Sequence, residues 1–159
     1  MTIRIVCAGK LKEKSYLDLS AEYIKRLSRF ATVEVNEVPD EKIPDNAGEA
    51  EEAHVKEKEG SRLLSHISSQ DYVIALTLDG KSYTSESFAS HLDQLLLSGK
   101  SRLTFVIGGS LGLSPEVISR ADEKLSLSAM TFPHRLARII LLEQVYRAFK
   151  IRSNETYHK

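Results

Sequence analysis

Three short, nearly continuous apolar runs, Ile3 to Ala8, Tyr72 to Leu78 and Leu103 to Ile107, constrain the fold of this chain more than any other feature. A strand that is apolar at successive positions is buried on both faces, which is the condition of a parallel sheet covered by helices on two sides. The intervals between these runs carry helical patterns, so the alternation reads as α/β with a mostly parallel sheet flanked by helices. Tyr16 to Phe30 places Leu17, Tyr23, Ile24 and Leu27 on one helical stripe. Thr32 to Val38 alternates apolar and polar residues and stops at Pro39, which reads as a strand. Asp40 to Asn46 is a loop, and Ala47 to Ile67 is a charged helix with a narrow apolar side.

Asp79-Gly80 is a turn pair that closes the Tyr72 to Leu78 strand, and Thr84 or Ser85 then caps a helix running to about Leu97, with Gly99 as its stop. Ser114-Pro115-Glu116 has the order of a cap, a first turn and an acid, and opens a short helix. Leu125 and Leu127 mark a last short strand, followed by a loop with Pro133 and a long helix bearing Ile139, Leu142, Val145, Tyr146 and Phe149 on its apolar side. That makes about five strands in a single domain covering residues 1–159, because no linker, repeat or compositional break divides the chain. The apolar side of the last helix is larger than one small sheet face needs, so part of it is expected to meet a second subunit.

Composition removes several classes of function. No apolar run reaches the length of a membrane span and the start lacks the order of a signal peptide, so no membrane association is expected and the cytoplasm is the default location. A single cysteine, Cys7, excludes an internal disulfide and a Cys-cluster zinc site, and its apolar setting makes it a core residue; no metal is expected. The net charge of zero hides segregation. Met1 to Phe30 has seven Lys/Arg against three acids, Glu34 to Glu59 has three Lys against ten acids, and His134 to Lys159 has six Lys/Arg against two acids. Two basic ends and an acidic middle suit a protein with one face for a polyanion, although solvated helix faces explain the same pattern equally well.

Ligands of open α/β sheets bind beyond the carboxyl ends of strands. Three such ends are marked here: Leu76 to Gly80, Ile107 to Gly112, and Leu127 to Pro133. The G-G-x-x-G of Gly108 to Gly112 is neither the dinucleotide G-x-G-x-x-G nor a P-loop, and on pattern alone a tight turn is the better explanation. The loop Leu127-Ser128-Ala129-Met130-Thr131-Phe132 is small and apolar with hydroxyls at alternate positions, suited to an adenine or to plain core. His134 stands near a helix start, where a structural role outranks a ligand role. The terminal Tyr157-His158-Lys159 puts an aromatic ring, an imidazole and a cation at a chain end, an unusual concentration of reactive types.

Taken in order, I-R-I-V-C-A-G-K-L-K at the start, V-P-D-E-K after the second strand, F-V-I-G-G-S-x-G-L, and L-S-x-M-T-F-P-H through E-Q-V-Y-R-A-F-K-I to Y-H-K resemble one family over the whole chain. It is the RlmH family, small SPOUT-class methyltransferases that methylate N3 of a pseudouridine in 23S ribosomal RNA. The resemblance implies S-adenosylmethionine as cofactor, in a pocket of Leu76, Gly108 and Leu127, Ser128, Ala129, Met130, Thr131 and Phe132. It also implies a C-terminal trefoil knot and a homodimer in which the tail of one subunit reaches the cofactor of the other.

The chemistry is compatible with that reading. The cofactor carries an activated methyl group, so the protein has to place it in line with the acceptor nitrogen and assist loss of a proton. Arg135, Arg147, Lys150 and Arg152 are expected to hold RNA phosphates, and the catalytic residues are Tyr157, which can stack on a base, His158, which can accept or relay a proton, and Lys159. Low net charge favours a large assembled target, 23S rRNA within the ribosome, over naked polyanion. The rival readings are a ribosome-binding protein that keeps the fold without the reaction, and a dinucleotide oxidoreductase, which the missing G-x-G-x-x-G disfavours.

Overall fold

The computed structural model describes residues 1–157; His158 and Lys159, two of the expected catalytic residues, lie outside the described residues. Five strands, β1 (Thr2–Ala8), β2 (Thr32–Val38), β3 (Tyr72–Ser82), β4 (Arg102–Ile107) and β5 (Glu123–Ser126), form one sheet in the order β2-β1-β4-β3-β5. All the pairings are parallel. Five helices connect and follow them: α1 (Lys14–Leu27), α2 (Glu49–Leu64), α3 (Ser85–Leu97), α4 (Pro115–Arg120) and α5 (His134–Arg152).

Alternation along the central strands feeds two cores. Ile3, Ile5 and Cys7 of β1, with Leu103, Phe105 and Ile107 of β4, point to one side, where they meet Phe88 and Leu92 of α3 and Leu141, Leu142 and Val145 of α5. Val6, Ala8, Val73 and Val106 point to the other, where Leu63 of α2 and Val117 of α4 cover them. Helix α5 contacts both α1 and α3 on the first face, and α2 contacts α4 on the second. Burial on both faces is why these strands read as near-continuous apolar runs. Cys7 is 1% exposed, and burial pushes its thiol up to about 11, so it is inert core.

Two sequence expectations need correction. Asp79-Gly80 does not end β3, which continues to Ser82. The pairing with β5 shifts instead, so that Leu125 stands opposite both Leu76 and Lys81. A Cβ on Gly80 would lie 2.6 Å from the carbonyl carbon of Leu125, so glycine is needed there for two backbones to approach, and the residues between the two registers bow out at the sheet end.

The second correction concerns α5. Ile139, Leu142, Val145, Tyr146 and Phe149 were expected to exceed the needs of one core, yet all are buried in the chain's own core, Leu142 and Val145 completely. Tyr146 packs on Tyr23 and Phe30, and Phe149 stacks on Phe30 at 5.4 Å. Helix α5 packs against α1 as well as α3, while its Leu136, Ala137, Ile140 and Ile151 stay half-exposed.

Candidate active site

The chain leaves β3 toward β4 in the sheet interior, and leaves β4 toward β5 at the edge beyond β3. Connections that depart in opposite directions from neighbouring strands open a crevice at their carboxyl ends. A cleft of about 930 Å³ lies there. Its walls are Leu76 to Asp79 from the bowed part of β3, Ile107 to Leu113 after β4, and Leu125, Leu127, Ser128, Met130 to Arg135 and Ala137 from the end of β5 into the start of α5. A volume of this size holds a nucleoside-sized ligand.

Of the residues expected to bind cofactor, Leu76, Gly108, Leu127, Ser128, Met130, Thr131 and Phe132 all line this cleft; Ala129 does not, and is solvent-exposed. The hydroxyl of Ser128 accepts the Met130 N–H at 3.0 Å, and its carbonyl accepts the Ser126 hydroxyl at 3.1 Å, so the loop is braced by its own polar groups. Met130 remains 75% exposed at the mouth.

The glycine turn has a structural cause as well as an open face. A Cβ on Gly108 would lie 2.6 Å from the carbonyl of Gly112, and the Gly112 N–H donates to Gly109 O at 3.0 Å. Glycine at 108 is therefore required by the turn itself, whatever the cleft holds. A bulky Gly108 substitution would disturb the turn as well as fill the cleft.

His134, for which a structural role ranked first, lines the cleft and also packs beneath Gly9, where a Cβ would come within 2.9 Å of its ring. Burial holds its imidazole below the usual histidine range, helped by the Arg135 cation, so it is neutral at neutral pH. Arg135 also lines the cleft and donates to Lys10 O at 3.2 Å.

The remaining expected RNA contacts are each paired with an acid. Arg147 pairs with Glu143, Lys150 with Glu155 and Arg152 with Asp93, at 2.5, 2.5 and 2.7 Å. Tyr157 folds back on the same helix: its ring meets Tyr146 edge-on at 5.0 Å, Arg147 lies 4.8 Å above it, and its hydroxyl donates to Glu143 Oε1 at 3.2 Å. Burial and then the Glu143 carboxylate push the Tyr157 phenol up to about 12, so it is a donor and not a base. None of Glu143, Tyr146, Arg147 and Tyr157 lines the cleft. The nearest cleft-lining residue of α5, Ala137, is six residues before Glu143, a separation of roughly 9 Å along the axis at 1.5 Å per residue.

Three contributors escaped sequence reading. Gly80 shapes the cleft rim by its close approach to β5. Arg138, 2% exposed, ties the start of α5 to Glu37 at 2.6 Å and to Gly9 O at 2.9 Å. Glu59 is 4% exposed and sits against Gly109. The four-residue spacing of Val55, Glu59 and Leu63 was the available signal for the last, since it puts the carboxylate on the buried stripe of α2. Among the described residues no cluster of three or more His, Cys, Asp and Glu side chains is arranged to hold a metal, and no helix is long and apolar enough to cross a membrane.

The chain that folds into this parallel α/β sheet and cleft belongs to the SPOUT methyltransferases: the family described as "Predicted SPOUT methyltransferase" matches residues 1–158. Among its relatives are proteins named Ribosomal RNA large subunit methyltransferase H from Bacillus cereus, 59% identical, and from Bacillus thuringiensis and Bacillus anthracis, each 58% identical, over 100% of both chains in every case. Of solved structures, a probable methylase family protein from Haemophilus influenzae Rd KW20 matches with a TM-score of 0.54 and 16% identity, over 99% of this chain and 70% of that one. That likeness concerns the fold alone.

Proposed function

We propose that this protein methylates large-subunit ribosomal RNA with S-adenosylmethionine as donor, and that the acceptor is N3 of a pseudouridine in 23S rRNA within the ribosome, in the cytoplasm. The observation that carries the reading is the convergence of Leu76, the Gly108 to Gly112 turn and the Leu127 to Phe132 loop on one cleft. The names of the full-length relatives support the RNA substrate.

The cleft residues fit such a ligand. Leu76 and Leu127 offer apolar surface for a purine ring, Ser128 and Thr131 add hydroxyls, and the turn after β4 brings backbone close. When bound, S-adenosylmethionine supplies the activated methyl group. The chain's own task is to exclude water from the cleft, hold the acceptor base in line and favour its N3 anion with cations. Arg135 at the cleft mouth is placed for the last role, and His158 is the proposed proton acceptor, with Lys159 beside it for phosphate or anion.

Tyr157 lies along α5 beyond the cleft of its own chain, which supports a homodimer whose tails complete the sites of the partner. Leu136 and Ile140, half-exposed on α5, are the proposed apolar part of that contact. The threading of the chain through a C-terminal knot belongs to the same proposal. Transfer of labelled methyl from the cofactor to ribosomes, isolated large subunits and naked rRNA tests the whole reading. Incorporation into 23S rRNA of ribosomes is expected, and binding without incorporation would leave only a ribosome-binding protein.

A further inference from the structure

Glu59 does not line the cleft but stands against Gly109, which does. It has two distinct oxygens. Oε2 accepts the backbone N–H of Glu41 at 2.8 Å, which ties α2 to the loop after β2. Oε1 is fully buried and has no hydrogen-bond partner among the described residues. A Cβ built on Gly109 would lie 3.0 Å from each of them, so the carboxylate faces the turn backbone directly. On the next residue of α2, a Cβ on Gly60 would collide with Ser114 Oγ, the group that caps α4. The pair Glu59-Gly60 therefore touches the turn segment at its second glycine, Gly109, and again where α4 begins.

A carboxylate is a poor choice for mere packing here. A buried acceptor left unpaired costs free energy that an apolar side chain of the same size would not incur. Native structures keep few such groups, and those they keep call for a specific explanation. Burial also pushes the Glu59 carboxyl above the usual range, with Asp40 and Glu41 adding to the push and Arg62 opposing it.

We propose that Glu59 is the positioning residue of the glycine turn, its unpaired Oε1 receiving a backbone N–H of the Gly109 to Leu111 segment when the cleft holds the cofactor or its demethylated product. The inference rests on the cofactor reading of the cleft given above. A carboxylate serves because it presents acceptors on two sides at once, one for Glu41 and one for the turn. Glutamine has the same shape but offers one acceptor and one donor, so it can serve Glu41 or the turn and not both. Glu59 acts through the turn and touches neither donor nor RNA.

Calorimetric titration of S-adenosylhomocysteine into wild type, Glu59→Gln and Glu59→Ala provides the test, with thermal unfolding and circular dichroism of each protein to establish that it is folded. Both variants are expected to weaken binding at least tenfold with the fold intact. Because Glu59→Gln preserves packing, wild-type affinity in that variant would overturn the proposal. Should a variant fail to fold, amide hydrogen exchange on the wild type decides: an N–H between residues 109 and 111 should gain protection when the product analogue binds, and absence of any gain overturns the proposal. Failure of wild type itself to bind the analogue is a different result, since it removes the cofactor reading of the cleft and this inference with it.

Discussion

Arg138 in the first turns of α5 reaches Glu37 near the end of β2 at 2.6 Å, and its other guanidinium nitrogen holds Gly9 O at 2.9 Å. One buried cation thus fastens the helix that borders the cleft to the carboxyl ends of two strands on the far side of the sheet. Burial disfavours the Glu37 carboxylate, but hydrogen bonds from Arg138 and the Leu11 N–H outweigh it and hold the group below the ordinary value of 4.5. A carboxyl depressed in the folded state contributes stability that is present above its unfolded value and is lost as pH falls through the folded one. Thermal midpoints of wild type should therefore drop on acidification below pH 4.5, and Glu37→Gln should show a shallower drop. Arg138→Met removes a buried partner and is expected to cost about 3 kcal/mol at pH 7 by leaving Glu37 without its ion-pair partner and with the Leu11 N–H alone.

Glu59 has the opposite linkage. Its folded value is raised by burial, so the associated stability is complete below 4.5 and declines as pH rises through the folded value. Asp40 and Glu41 face the group and Arg62 offsets them in part. Glu59→Gln should be more stable than wild type at pH 8 by about 1 kcal/mol, roughly 2–4 °C in midpoint for a chain of this size, with the gain shrinking at pH 5. Equal midpoints at both pH values would show that the buried oxygen carries no cost.

The cleft is best probed away from its glycines. Thr131 is exposed and lines the cleft, so Thr131→Trp should fill ligand space without disturbing the turn. The expected result is a loss of S-adenosylhomocysteine affinity of at least tenfold at an unchanged thermal midpoint, measured by calorimetry. Gly108→Arg should instead lower the midpoint as well, because any Cβ at that position meets the Gly112 carbonyl. Unchanged affinity in Thr131→Trp would move the ligand elsewhere.

Phosphate contacts should follow the ion pairs. Neutralising a cation that displaces one counterion lowers the salt slope of nucleic-acid binding by roughly 0.7 to 0.9 unit. Lys150→Gln and Arg152→Gln should each remove much less, since Glu155 and Asp93 already hold these cations. Arg135, which meets a backbone carbonyl, should show the largest effect of the three. Ribosome binding measured over a range of salt concentrations separates the outcomes, and a full-unit loss at Lys150 would mean that its pair with Glu155 opens on the RNA.

Deletion of Thr156 to Lys159 should leave cofactor affinity intact and abolish transfer, while Thr131→Trp should do the reverse. Mixed dimers of the two would join one intact cleft to one intact tail, and transfer should reappear after subunit exchange. Inactive mixed dimers, verified by sedimentation, would show that each tail serves its own cleft or that both subunits must hold cofactor at once, and either result overturns the composite site. Ile140→Asp should weaken the dimer, whereas a charge at Leu142 should unfold the chain, because that side chain is fully buried within its own core.

Local chemistry determined which elements form. The apolar runs of β1, β3 and β4, the caps at Thr84 and Ser114, and Tyr23, Ile24 and Leu27 of the α1 stripe are read from spacing alone, because burial and the needs of a helix end leave direct marks in the order of residues; Leu17, placed on the same stripe, is 46% exposed. The same marks brought the Leu76, Gly108 and Leu127 segments forward as strand ends where a ligand binds. Tertiary structure decided everything that depends on which distant backbones meet. The bow of β3 over Leu125 hinges on Gly80, a residue whose pattern announces only a turn. The burial of Arg138 and Glu59 depends on partners 101 and 18 residues away, and nothing in a charged residue's neighbours along the chain announces such a partner. Whether Ile139, Leu142, Val145, Tyr146 and Phe149 of α5 are surplus or core likewise depended on how many helices pack against α5, and with α1 and α3 both in contact all five are buried.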